Sequence, residues 1–381
     1  MLRTSSRAAL VLLALPTVSL AQSTSPFSLG GYVEANYSFN FNRPSNGITH
    51  FRGFDNRHNT FTLSNVVLDA GYDNARLIGR LALQVGQTPS TYYLAEPSFA
   101  GADASPALSR DVWKYIQQAY GGYRFDLGHG LTVLGGVFLS PIGPESMPVR
   151  ENFNASRSNL FFGLPFYHTG VRVSYPFTES LTVTLSLFNG WNSLVDNNPG
   201  KSVNLTMVLT RPWGSLTAQY FGGNERAQGA AEGAPWRHML DAYASVTVSP
   251  RLSVMAQVNG GFEQNRFGTS RWFAAALYGR VQLHPRLFAA LRGDVFIEHT
   301  PENAAGRASP IFWPAPWVSS GTATLDYRPH PRASFRAEFR HDEAGAAMYY
   351  GGAVEGDGGA APYVANRRRQ DTLSAWLTTW F

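Results

Sequence analysis

The chain has no cysteine among its 381 residues, and its only lysines are Lys114 and Lys201. Without cysteine, a disulfide framework, a thiolate metal site and a lipoprotein anchor are excluded. No apolar run is long enough for a transmembrane helix. Charged residues make up 15% of the chain and the net charge is only +5, so no nucleic-acid partner is predicted. Aromatic residues at 13% and 37 glycines are instead typical of many short strands with one face in lipid.

The N-terminus has the pattern of a secretory signal peptide. Arg3 and Arg7 precede the apolar run 8–15, and Ser19-Leu20-Ala21 forms a small-residue cleavage site. We therefore predict that residues 1–21 are removed on export and that residues 22–381 form a single domain.

The C-terminus reads as one amphipathic strand, residues 371–381 (DTLSAWLTTWF). Side chains two residues apart share a strand face, which places Phe381, Leu377 and Leu373 together on an apolar face. A last strand that closes on phenylalanine resembles the signal by which the assembly machinery recognises outer-membrane β-barrels. These three residues are the candidate assembly signal.

The hydrophobic pattern predicts sixteen strands in one antiparallel, up-and-down transmembrane β-barrel. The predicted strand limits are 27–40, 60–73, 75–87, 113–125, 131–139, 165–176, 179–190, 201–213, 214–223, 236–248, 251–263, 271–283, 286–299, 317–328, 332–343 and 371–381. The predicted long connections are 41–59, 88–112, 140–164, 191–200, 224–235, 264–270, 300–316 and 344–370. They alternate with short turns, as in membrane barrels with short periplasmic turns and long extracellular loops.

Within the strands, apolar residues alternate with polar or charged ones. In 332–343, Phe335 and Phe339 share one face while Arg336 and Arg340 share the other. Strands in lipid must close into a barrel to pair their backbone groups, and a sixteen-stranded barrel encloses water. An arginine costs little in such a lumen but about 2–4 kcal/mol on the lipid face at mid-bilayer. The charged faces therefore point inward.

The first half of the chain resembles the OmpL-like β-barrel porin family of Gram-negative outer membranes. The resemblance rests on the segments Gly31-Tyr32-Val33-Glu34-Ala35-Asn36-Tyr37, Ser140-Pro141-Ile142-Gly143-Pro144-Glu145, Asn154-Ala155-Ser156-Arg157-Ser158, His168-Thr169-Gly170-Val171 and Phe188-Asn189-Gly190-Trp191-Asn192. It implies a pore-forming outer-membrane barrel and supplies no substrate. The second half matches only in strand pattern.

Two sets of residues are candidates for the pore. The predicted inward-facing charges are Arg76, Arg80, Arg172, Arg280, Arg292, Arg336, Arg340, Asp241, Asp294, Glu298, Glu338 and Asp342. Facing ladders of arginine and acid would set a transverse field that filters polar solutes, or would only neutralise one another and stiffen the wall. The predicted constriction lies in the third long loop, 140–164, where the candidates are Glu145, Arg150, Glu151 and Arg157. An ordinary surface loop is the alternative.

The sequence favours a passive porin for small hydrophilic solutes with a weak anion preference, without enzymatic activity, cofactor or metal. A plugged or narrow barrel that serves as a surface-binding or structural protein stays open as an alternative. The other alternative is an outer-membrane lipid hydrolase built around His168. The expected location is the outer membrane of a Gram-negative bacterium. The expected partners are its lipid and lipopolysaccharide, the assembly machinery and polar solutes, with a monomer and a homo-trimer both open.

Overall fold

The computed structural model describes residues 25–92, 113–196 and 198–381. The predicted signal peptide, residues 1–21, and most of the predicted loop 88–112 lie outside the described residues. In the described ranges no helix is both long and apolar enough to cross a membrane.

Within these described ranges, sixteen antiparallel strands form one closed barrel. These strands are β1 Phe27–Asn40, β2 Thr60–Asp73, β3 Leu77–Val85, β4 Ile116–Phe125, β5 Leu131–Leu139, β6 Tyr167–Pro176, β7 Leu181–Phe188, β8 Ser202–Arg211, β9 Gly214–Asn224, β10 Trp236–Ser249, β11 Leu252–Asn265, β12 Gly268–His284, β13 Leu287–His299, β16 Trp317–His330, β17 Ala333–Ala344 and β18 Arg369–Trp380. A separate two-residue pair, β14 Glu302–Asn303 and β15 Gly306–Arg307, lies in the connection after β13. The predicted sixteen-stranded fold is confirmed.

The short helical elements lie in the connections between strands. Helix α1, Gln87–Tyr92, follows β3, and helix α2, Asn159–Phe162, precedes β6. Single 3-10 turns occur at Trp113–Tyr115 and Val149–Glu151.

Alternation of side chains explains why the barrel has an apolar outer wall. On β17, Phe335 and Phe339 are 49% and 44% exposed on the outside, whereas Arg336 and Arg340 on the inside are 3% and 1% exposed. A period of two gives each strand one face for lipid and one for the lumen. The large exposed residues Leu240, Leu277 and Leu291 belong to the same outer wall.

The barrel closes where the last strand pairs with the first. In this seam Tyr32 lies opposite Trp380 and Phe39 opposite Leu373, and the backbone N–H of Phe381 donates to the carbonyl of Gly31 at 3.1 Å. A Cβ atom at position 31 would lie 2.3 Å from the Val67 carbonyl oxygen and 2.9 Å from the Phe381 ring. Glycine is therefore required beside the terminal ring.

One predicted long loop, 264–270, is wrong. Strands β11 and β12 continue almost to each other, and Asn265 pairs with Gly268. The Asn265 side chain accepts the backbone N–H of Phe267 at 3.0 Å, and Gly268 has φ of 130°. An asparagine that hydrogen-bonds two residues ahead and a glycine at positive φ make a tight turn, so a short hairpin turn replaces the predicted long loop.

Candidate functional site

The loop between β5 and β6 lies inside the barrel. We call residues 140–164 the inner loop. Its path is fixed by Gly143 at φ 82°, by the turn Val149–Glu151 and by helix α2, whose N-cap Ser158 accepts the backbone N–H of Phe161 at 3.1 Å. These local features turn the chain back and expose a row of backbone donors and acceptors to the inner wall.

Carboxylates on the inner wall accept hydrogen bonds from the backbone of the inner loop. Glu338 on β17 accepts from Ala155 N at 2.6 Å and Ser156 N at 2.9 Å. Glu34 on β1 accepts from Val149 N at 2.6 Å. Both carboxylates are 2% exposed. Buried backbone donors need partners, and a charged acceptor is a strong one, so these residues hold the loop against the wall.

Arginines on the inner wall supply the matching donors. Arg292 donates to Ser156 O at 2.6 Å and to Arg157 O at 3.2 Å. Arg336 donates to Val149 O at 2.9 Å and to Asn154 O at 3.2 Å, and Arg340 donates to Arg157 O. These three guanidinium groups bind backbone carbonyls of the inner loop. They therefore do not belong to a solvent-exposed arginine–acid ladder across an open lumen, which corrects the predicted transverse field at these three positions.

The predicted constriction residues separate into two pairs. Glu145 is buried, accepts Ser158 N at 3.0 Å and lies 3.1 Å from Arg292. Arg157 is also buried and donates to Ser146 O at 3.1 Å and Ala155 O at 2.5 Å. These two side chains stabilise the loop itself and do not line an eyelet.

The other pair, Arg150 and Glu151, keeps contact with solvent. Their side chains are 27% and 37% exposed, and they lie 3.8 Å apart. The Arg150 guanidinium lies 5.4 Å from the Tyr32 ring centroid. A cavity of about 370 Å³ is lined by Arg150 together with Tyr32, Asp69, Arg80 and Tyr120.

The other predicted acids are engaged in the wall or in loops. Asp294 accepts Asn159 N at 3.1 Å and lies 3.3 Å from Arg292. Asp241 accepts Gln257 Nε2 at 2.7 Å. Glu298 accepts the backbone N–H groups of residues 311–313, which ties the connection 300–316 to β13.

Asp342 binds the first long connection. The Asp342 carboxylate lies 2.6 Å from Arg340 on the same strand and 3.0 Å from Arg52 in the connection 41–59. Arg52 also lies 2.8 Å from Asp55. Burial alone would raise the pKa of Asp55, but the adjacent Arg52 and Arg340 outweigh it, so the pKa of this carboxyl lies below its ordinary value. The ion pair between Arg52 and Asp342 therefore holds the connection 41–59 against the lumen face of β17.

Four predicted arginines do not bind the inner loop through hydrogen bonds. Arg80 makes a bidentate pair with Asp69, with its closest N···O distance at 2.5 Å. Arg172 lies 5.4 Å from the Phe138 ring and Arg280 lies 4.3 Å from the Phe288 ring. Arg76 lies in the turn before β3, where it forms an exposed 2.8 Å pair with Asp126, so it is at the barrel rim and not on the lumen wall.

An aromatic and apolar cluster occupies the lumen near the long-loop end. It joins inward residues such as Phe138, Phe221 and Trp272 to residues from the long connections, among them Trp313 and Tyr349. The strand pattern by itself does not predict this cluster. The available signal was the stretch Trp272–Tyr278, which carries large or apolar residues on both strand faces.

His168 is part of this buried interior. Its Nε2 lies 3.2 Å from Ser140 Oγ and its Nδ1 lies 3.0 Å from the Gly190 carbonyl oxygen, and its ring stacks on Phe188. The side chain is 0% exposed. The lipid-hydrolase alternative needs a serine–histidine pair on the outer wall near the interface, whereas this pair is enclosed in the lumen.

The candidate assembly residues Phe381, Leu377 and Leu373 lie on the outer wall and are 58%, 38% and 50% exposed. The structure also adds residues that the sequence analysis missed. Glu34, Asp326 and Arg328 all occupy inward positions of the period-two pattern, which was the signal that could have found them.

The solved structures that match this fold include outer-membrane proteins and a porin. The trimer form of OmpT of Vibrio cholerae is 10% identical with a TM-score of 0.59, covering 93% of this chain and 99% of its own. The outer-membrane channel DcaP of Acinetobacter baumannii is 12% identical with a TM-score of 0.56, covering 93% and 97%. The anion-selective porin from Comamonas acidovorans is 10% identical with a TM-score of 0.56, covering 93% and 99%. At identities of 10–12%, the similarity to these structures establishes the fold alone.

The fold is thus a closed sixteen-stranded β-barrel of the porin type. Residues 26–369 match the family described as "Putative beta-barrel porin-2, OmpL-like", and the chain belongs to this family. A search of curated proteins gives no match.

Proposed function

We propose that this porin allows passive diffusion of small hydrophilic solutes and prefers anions weakly. The observation that carries the proposal is the set of partly exposed arginines in the lumen: Arg80, Arg172 and Arg280 on the strands of the inner wall, and Arg150 on the inner loop. Carboxylate partners offset Arg80 and Arg150, but Arg172 and Arg280 form no ion pair within the described ranges. Uncompensated positive charge on a lumen wall attracts anions. The anion-selective porin of Comamonas acidovorans shares this fold.

Planar-bilayer recording of the refolded, detergent-purified protein tests the proposal. We expect ohmic single-channel steps in potassium chloride, and a reversal potential in a salt gradient whose sign reports chloride as the more permeant ion. A reversal potential of the cation-selective sign would contradict the anion preference while leaving the channel intact.

The second candidate function is a narrow or plugged barrel that works as a binding or structural surface. The aromatic cluster near the long-loop end favours it, since Trp191, Trp313 and Tyr349 are packed there among inner-wall residues. The test is to compare folding with conductance. If the protein is folded, as shown by a change in electrophoretic mobility on heating, but gives no conductance, a binding or structural role is supported and passive diffusion is not.

For location and partners, we infer export by a cleaved signal, residues 1–21, into the outer membrane of a Gram-negative bacterium. The exposed leucines and phenylalanines of the outer wall suit contact with lipid and with the acyl chains of lipopolysaccharide. The outward terminal strand suits recognition by the barrel-assembly machinery. The trimer form of OmpT supports a homo-trimer, and chemical cross-linking in native membranes would test it.

A further inference from the structure

A basic cluster lies on the inner wall between the inner loop and the short-turn end of the barrel. The guanidinium of Arg280 on β12 lies 4.3 Å from the ring centroid of Phe288 on β13. The guanidinium of Arg328 on β16 lies 5.0 Å from the same centroid. Phe153 of the inner loop has its ring 5.8 Å from Arg280. Two cations thus share one aromatic ring, beneath a second ring from the loop.

The charges of this cluster do not balance. The charged neighbours of Arg280 are Arg328, Arg336 and Asp326. The Asp326 carboxylate accepts Arg328 Nε at 2.9 Å and Nη2 at 2.8 Å, and it lies 3.4 Å from Arg336. One carboxylate therefore faces three guanidinium groups and is already engaged by two of them.

Arg280 is the group left without a partner. Within the described ranges it forms neither an ion pair nor a hydrogen bond, and its contacts are with the two aromatic rings. The Arg280 side chain remains partly exposed in the lumen, whereas the Nη2 atom of Arg336 is buried. A planar guanidinium with free donors matches a carboxylate, which accepts two parallel hydrogen bonds.

We propose that Arg280, Arg328 and Phe288 form a transient binding site for small carboxylate ions that have an apolar body, such as benzoate. Arg280 binds the carboxylate, Arg328 adds positive charge, and the rings of Phe288 and Phe153 contact the body of the ion. This inference rests on the proposed diffusion function and names a solute class for it. Binding in a channel must be weak enough for release, so the site makes the flux of these ions saturable.

The test is titration of potassium benzoate into both chambers during bilayer recording in potassium chloride. In the unmodified protein we expect benzoate to lower the chloride current with a saturable dependence, and phosphate to do so more weakly. Arg280→Gln should raise the half-saturating benzoate concentration by about tenfold or more, as expected for loss of a hydrogen bond between charged groups. Arg280→Lys keeps the charge but not the planar fork, and should give an intermediate value.

The matched control is Arg286→Gln in the exposed turn between β12 and β13, which removes the same charge from the same hairpin. Equal shifts in Arg280→Gln and Arg286→Gln would show a general charge effect and overturn the site. Stronger inhibition by phosphate than by benzoate would overturn the proposed ligand class.

If the unmodified barrel does not conduct, the diffusion function fails, and calorimetric titration of benzoate into the detergent-solubilised protein still decides the site. Binding that is lost in Arg280→Gln but kept in Arg286→Gln supports the site, and absence of binding in the unmodified protein overturns it. Should Arg280→Gln fail to fold, Arg280→Lys and Phe288→Leu take its place in both measurements.

Discussion

At the residue scale, Glu338 shows how a buried carboxylate can be stable inside a barrel. It lies at 2% exposure and accepts Ala155 N, Ser156 N and the hydroxyl of Thr324, the last at 2.7 Å. Three donors replace the lost hydration of the anion. The charge therefore acts as an anchor for the inner loop and not as a free part of a transverse field.

Replacing this carboxylate should loosen the loop. In Glu338→Gln one oxygen becomes an NH₂ group that faces a donor, so we expect a loss of about 1–3 kcal/mol in the free energy of unfolding. We also expect larger current fluctuations in bilayer recordings. Urea titration in detergent measures the first effect. The control is Glu179→Gln in the exposed turn after β6, for which unfolding should be unchanged; equal losses in both variants would contradict the anchoring role.

At the element scale, the inner loop determines which part of the inner wall remains in contact with water. Its backbone binds carboxylates and guanidinium groups of β1, β13 and β17, and this removes Glu34, Arg292, Arg336 and Glu338 from contact with water. The opposite wall, with Arg80 and Arg172, keeps polar groups partly exposed. Of the two unpaired lumen arginines, Arg172 therefore lies on the side that the loop does not cover, whereas Arg280 lies beside Phe153 of the loop.

Shortening the inner loop should widen the channel. If residues 146–157 are replaced by a short glycine–serine linker, we expect single-channel conductance to rise several-fold, because the ion path then spans the uncovered lumen. The control shortens the exposed segment 356–361 of the connection between β17 and β18 by the same method. Unchanged conductance after shortening of the inner loop, with the barrel still folded, would show that the loop does not restrict the path.

At the scale of the whole molecule, selectivity follows from the sum of the lumen charges. Paired guanidinium groups such as Arg80 with Asp69 contribute little net field, whereas Arg172 and Arg280 contribute a full charge each. The expected preference for anions is weak because so few of the inward charges are unpaired.

This origin makes the preference sensitive to salt. The Debye length falls from about 10 Å at 0.1 M to about 3 Å at 1 M ionic strength. We therefore expect the chloride-to-potassium permeability ratio, measured from reversal potentials, to approach the ratio of bulk mobilities as salt rises. A ratio that does not change with salt would indicate selection by pore width instead of by charge.

Much of the architecture could be predicted because it depends on local patterns. The alternation Phe335, Arg336, Ala337, Glu338, Phe339 assigns faces without knowledge of the partner strand. Turn residues fixed the short connections, and the one failure, at 264–270, came from treating Asn265 and Gly268 as loop residues when they close a hairpin. Of the predicted inward set, Arg76 lies at the rim, where it pairs with Asp126.

The sequence by itself determined that strands with one apolar face would close into a barrel in lipid, since alternation and the need to pair every backbone group leave little else. Only the tertiary structure decided which inward charges hold a loop and which remain free. That outcome depends on contacts between distant parts of the chain, such as Glu338 with Ala155, 183 residues apart, and Arg292 with Ser156, 136 residues apart. A period of two along one strand carries no information about what fills the space in front of it.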